Sequence, residues 1–311
     1  MSAVLDPFIL EYAPGPVAEL DPALLRARRE VTALLHGMAR LDDSSLLTQW
    51  FWDGNDVDVR YAFYRAFETL ETAESAARLA LASSSSTEAR DAVGAATASR
   101  WDVQGLLATF ADEDLDADPG NGEWTIRQTM AHIIAGQRGY AWGTAWWLSV
   151  RDAPPPEGQH RAPDDVFSGL PEDDQEATGS LADVRRQLDD VVDATSSRYA
   201  TLTDDELAVR SGWSGFPVSV GFRQWRWSSH IAEHTIQIEK TLDMLDRRRT
   251  EVARLSRLVA RAYGRLEAVA FYRSGAEAAA GILDNVAADL GHIRETVAAA
   301  IGAGVPARID W

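Results

Sequence analysis

The chain contains no cysteine. Disulfides, thiolate metal ligands and a cysteine nucleophile are therefore excluded, and a reducing, cytoplasmic setting is expected. Lysine is nearly missing as well: of 30 basic residues only Lys240 is lysine. So strong an arginine bias beside abundant alanine points to a GC-rich genome rather than to a physical requirement. Positive charge is outweighed by 48 acidic residues, for a formal net charge of −18. That balance argues against nucleic acid or an anionic membrane surface as a partner. No apolar run reaches the ~18 residues of a membrane span. Met1 to Leu10 lacks the basic and apolar regions of a signal peptide. What is present is a chain of 311 residues, 46% hydrophobic, long enough for one large or two ordinary domains.

Residues 1–20, with Pro7, Pro14 and Pro16, read as an irregular arm. From there on helical periodicity dominates. Helices are predicted over about 21–41, 57–81, 87–111, 125–150, 180–202, 222–247, 250–273 and 276–301. Thr125-Ile126-Arg127-Gln128 is a capping box opening the fourth of these. In that helix Ala135, Gly139 and Gly143 recur every fourth residue, a smooth strip permitting close helix approach. Asp53-Gly54-Asn55-Asp56 is a turn, and 211–221 a loop or short strand. The fold expected is all-α.

Two helices at each end of the chain echo the middle. Leu34 to Glu68 repeats the order of events from Leu106 to Gln137, with Arg65 where His132 sits. Similarly, His292-Ile293-Arg294-Glu295-Thr296 echoes His230-Ile231-Ala232-Glu233-His234. Residues 87–247 are therefore read as one helical bundle. Residues 21–82 plus 250–301 are read as a flanking helical module, a degenerate second bundle.

His230 and His234 stand one turn apart on one helix face, where two imidazoles can bind one metal ion. Alone the pair is weak evidence, since histidines on helices are commonly surface or satisfied core residues. His132 supplies a third candidate. Three neutral imidazoles with an open fourth position suit catalytic zinc, with nickel or iron as alternatives. Trp227 and Gln237 lie three residues before His230 and three after His234, on the same face, and are candidate substrate-binding residues. Arg127, Arg223 and Arg226 are candidates to neutralise a substrate carboxylate. The segment 230–234 also fits the His-x-x-Glu-His pattern of inverted zinc peptidases. However, Glu233 points about 100° away from its neighbouring ligand around the helix, so it is read as a surface residue or one supporting the ligands from behind, not as a base.

Trp124-Thr125-Ile126, followed six residues later by His132 and then by His-x3-His on a later helix, resembles the DinB-like superfamily, including YfiT-like and mycothiol-dependent proteins. The resemblance covers about residues 87–247. It implies an antiparallel four-helix bundle with a long crossover and a divalent metal on His132, His230 and His234. It further implies a transferase or isomerase that uses a low-molecular-weight thiol such as mycothiol, activated at that metal to attack an electrophile. The partners implied are small molecules, and the chain is expected to be a monomer or homodimer. The alternative is a non-catalytic helical stress or binding protein with a structural or vestigial metal site.

The loop 151–179 leaves the far end of the helix bearing His132, so it is not expected to cover the metal. His132 and His230 lie at similar depths after their helix starts. That similarity predicts parallel helices, with loops 112–123 and 211–221 rimming one pocket mouth.

Overall fold

A computed structural model describes residues 20–82, 86–272 and 276–302. The arm expected over residues 1–20 lies outside them apart from Leu20. In chain order the elements are α1 (Pro22–Met38), the hairpin β1 (Gln49–Trp52) and β2 (Asn55–Asp58), α2 (Val59–Ala80), α3 (Glu88–Leu107), α4 (Ile126–Ser149), α5 (Leu181–Tyr199), the short α6 (Asp204–Leu207), the hairpin β3 (Arg210–Trp213) and β4 (Phe216–Ser219), α7 (Val220–Met244), α8 (Glu251–Tyr272) and α9 (Ala276–Ala300). The fold is all-α apart from the two hairpins. No helix among the described residues is long and apolar enough to cross a membrane.

The helices start where side chains can satisfy their orphan N–H groups. Asp21 caps α1, Thr125 and Gln128 form the capping box of α4, and Ser180 and Asp183 form that of α5. Each hairpin turns on two residues with positive φ, Asp53-Gly54 and Ser214-Gly215. Both central residues of a type I′ turn require that conformation, and glycine adopts it without steric cost.

The chain divides into two compact units. The first groups Ser86–Ala96 with Asp112–Leu245. In it α4 and α7 run antiparallel: Thr241 Oγ1 donates to Trp124 O near the start of α4 (3.1 Å), and Lys240 pairs with Glu123. At the other end a Cβ on Gly143 would meet Arg223. The parallel arrangement predicted from similar histidine depths is thus not found, and loops 112–123 and 211–221 lie at opposite ends. Depth from a helix start fixes no direction. Instead α5 runs parallel to α4, because the crossover 150–180 brings the chain back. Its end meets the start of α4, where Arg127 donates to Ala177 O and Gly179 O, and Tyr199 Oη, at the end of α5, donates to Ala141 O (2.6 Å).

The second unit comprises the described residues within 19–85, 97–111 and 246–311. The second half of α3 therefore groups with the flanking helices, although the sequence places 87–247 together. Two glycines explain the close fit: a Cβ on Gly105 would lie 2.6 Å from that of Ala260, and one on Gly264 would lie 2.7 Å from that of Trp101. Around this seam Glu267, fully buried, accepts from Arg28, Arg100 and the Trp101 indole. Helices α1 and α2 pack on α8 and α9.

An internal likeness exists, but in a different register from the one the sequence suggests. Hairpin β1–β2 leading into α2 matches hairpin β3–β4 leading into α7. The turns share their backbone angles, Asp58 and Ser219 cap the helices, and Val59 N→Thr48 O and Val220 N→Val209 O are equivalent bonds, both 2.9 Å. His292 then faces Trp52 (5.1 Å) as Tyr140 faces Trp213 (4.8 Å). In this register α9 stands to its hairpin as α4 stands to β3–β4, which differs from the register that pairs Arg65 with His132 and His292 with His230. The amphipathic pattern of one helix slides easily onto another; the hairpin fixes the register.

Candidate metal centre

His132 comes from the second turn of α4, and His230 and His234 from the middle of α7. Antiparallel packing sets these stretches opposite each other. Gly136 lets them close up, since a Cβ there would lie 2.5 Å from Cε1 of His230. His132 Nε2 and His230 Nε2 are 3.4 Å apart, and one ring nitrogen from each of the three histidines lies within 4.8 Å of the others. A tetrahedral ion with metal–nitrogen bonds of about 2.1 Å needs nitrogens about 3.4 Å apart. The three histidines can therefore hold a metal ion.

Each imidazole is prepared differently. His132 Nδ1 lies 2.9 Å from Asp173 Oδ2, and His234 Nδ1 lies 2.8 Å from Gln237 Oε1. A hydrogen on each Nδ1 donated to those oxygens leaves Nε2 as the free lone pair, the usual arrangement behind a metal-ligating histidine. His230 is 4% exposed, and its Nδ1 finds no partner among the described residues. Burial, with His234 and His132 alongside, pushes His230 down to about 3. Burial also lowers His234. His230 is thus neutral at neutral pH, as a ligand must be.

Asp173 belongs to the crossover that was expected to stay clear of the metal. Its first half does leave from the far end of α4, but thirty residues suffice to return along the helix. Arg138 binds Glu176 (2.8 Å) on the way, and Asp173 reaches His132. Nothing local in the sequence marks Asp173 among the neighbouring acids. Trp227 is corrected as well: it is fully buried, edge-on to Tyr199 (5.3 Å), and has no surface to offer a substrate. Gln237 is at the site, but as the partner of His234. Glu233 is held by Arg226 through two bonds of 2.7 and 2.8 Å, outside the trio.

The three arginine candidates separate. Arg127 is paired with Asp116, and Arg226 with Glu233. Arg223 is buried and gives NH1 to Gly212 O (2.8 Å). Burial lowers its guanidinium to about 10.

No curated protein and no solved structure compared with the chain matches it. Residues 95–238 match the family model described as the DinB superfamily, a span that holds all three histidines, the whole of α4 and most of α7. Over this span, which carries the crossover and the histidine trio, the chain is DinB-like.

Proposed function

We propose that the protein is a metal-dependent transferase or isomerase that joins a low-molecular-weight thiol, with mycothiol as the leading candidate, to a small electrophile. The observation carrying this reading is the convergence of three imidazoles around one point, one of them buried and neutral and two oriented through their Nδ1 atoms. Zinc suits three nitrogen donors, with nickel or iron as alternatives. An ion held there would supply the Lewis acidity that makes a thiol acidic near neutral pH.

The chain's own part is positional. Asp173 and Gln237 fix two rings, and Gly136 permits the third to approach. His132 keeps a third of its side chain exposed, so the cluster is open on one side. No cysteine competes as nucleophile, so the sulfur must come with a cosubstrate. The thiol gives its proton to solvent, and its sulfur forms a bond to an electrophilic carbon. In transfer that carbon loses a leaving group; in isomerisation it releases the sulfur again after rotation.

The test is metal analysis of untagged protein, followed by thiol-consumption assays against a panel of electrophiles with and without chelator. Stoichiometric metal and chelator-sensitive consumption are expected. Absence of bound metal, or consumption indifferent to chelator, would overturn the reading.

A further inference from the structure

Beside the three histidines lies a second feature that the metal centre does not use. A cavity of about 430 Å³ opens between α4, the start of α7, the β3–β4 turn and the crossover. Its walls include Tyr140, Trp147, Phe167 and Trp213, and Arg223 sits in it. Tyr140 is a shared wall: its ring is 4.8 Å from Trp213 and 5.0 Å from His230. Gly136, which lets His230 approach α4, also lines the cavity.

Arg223 is 7% exposed, and among the described residues no carboxylate pairs with it. Its Nε is buried without an acceptor, and Gly212 O takes only NH1. Trp213 lies under the guanidinium at 5.6 Å. A buried unpaired cation is costly unless something compensates it. The fold nevertheless makes room for this one: a side chain at Gly143 would strike Arg223, and one at Gly212 would strike the His160 carbonyl. Arg161 and Asp164 also line the cavity, but both are exposed to water and opposite in charge. The net cationic character of the interior is therefore that of Arg223. With only Gly212 O accepting from it, the guanidinium keeps donor capacity for a carboxylate, and flat aromatic walls suit a flat molecule.

We propose that this cavity binds a small, flat carboxylic acid, its carboxylate on Arg223 and its body against the wall formed by Tyr140 and Trp213, with the far end directed at the three histidines. Naming this acid as the electrophile rests on the proposed thiol chemistry; the binding itself does not.

Calorimetric titration of metal-free protein with benzoate, and with benzamide as its uncharged isostere, tests the proposal. Benzoate should bind saturably, and benzamide at least tenfold more weakly. Arg223→Gln should weaken benzoate at least tenfold. Gly139→Leu should abolish binding by filling the cavity. Gly139 faces nothing within 4 Å and sits mid-helix, so that variant tests the cavity even if Arg223→Gln does not fold. Equal affinity for benzoate and benzamide, or undiminished binding in folded Arg223→Gln or in Gly139→Leu, would overturn the proposal. Benzoate binding in a protein that consumes no thiol would uphold the cavity and count against the proposed function.

Discussion

His132 Nδ1 stands 2.9 Å from Asp173 Oδ2, which joins the second turn of α4 to a crossover residue 41 positions later in the chain. A carboxylate behind a ligating imidazole fixes its tautomer and orientation and raises its basicity. Removing it should therefore weaken the metal without unfolding anything. Asp173 is 59% exposed, which places the effect at the low end of the usual range. Asp173→Ala is expected to lower metal affinity about tenfold, read by competition with a calibrated chelator. An unchanged affinity would show that His132 is held by its helix alone.

The ligands themselves should matter more. His132→Ala or His230→Ala removes one of three protein donors. Either should leave metal content well below the parent after dialysis, measured by elemental analysis. Full occupancy in both variants would exclude the trio as the binding site. The His230 variant also removes a fully packed ring, so circular dichroism must accompany it.

In the second unit the expectation concerns stability. Glu267, fully buried, is the common acceptor for Arg28, Arg100 and Trp101, and Arg100 is itself fully buried. Glu267→Gln removes the carboxylate charge that Arg28 and Arg100 share in a dry site. Breaking a buried pair in this way costs about 3–5 kcal/mol. The urea midpoint should fall accordingly, with metal content unchanged because the three histidines belong to the other unit. A midpoint equal to the parent's would show that Arg100 finds water.

Much of this was legible in the sequence. The eight long helices begin and end within a few residues of their periodic stretches, because Asp21, Thr125 and Ser180 act through local chemistry that spacing reveals. The histidine trio was legible because two members share a helix turn. What spacing could not give was direction and return. Helix depth says nothing of parallel or antiparallel packing, and a loop's departure point says nothing of where its middle travels, so Asp173 was missed. The β3–β4 hairpin was half seen, and β1–β2 was read only as its turn, since strands of four residues give too short an alternation. Trp227 shares a face with His230, yet a face wide enough to bear both also reaches the core.

The glycines of α4 give the sharpest paired test, because neighbouring positions should respond oppositely. The sequence marks Ala135, Gly139 and Gly143 as one smooth strip. The structure gives its glycines separate tasks and adds Gly136. A methyl group at Gly136 would sit 2.5 Å from Cε1 of His230, closer than real Cβ atoms approach any neighbour. His230 is buried and cannot swing into water, so the ring must tilt or the helices must part. Tilting moves Nε2 away from the point shared with His132 and His234. At Gly139 nothing lies within 4 Å, so alanine adds only helix propensity, worth about 1 kcal/mol. Gly136→Ala is therefore expected to lose metal while staying helical, and Gly139→Ala to keep its metal and unfold at higher urea. Elemental analysis and denaturation on the same preparations read both. Equal metal content in the two variants would show that α4 and α7 can separate at no cost to the site, and that the fit of the three nitrogens does not depend on close approach of the backbone at Gly136.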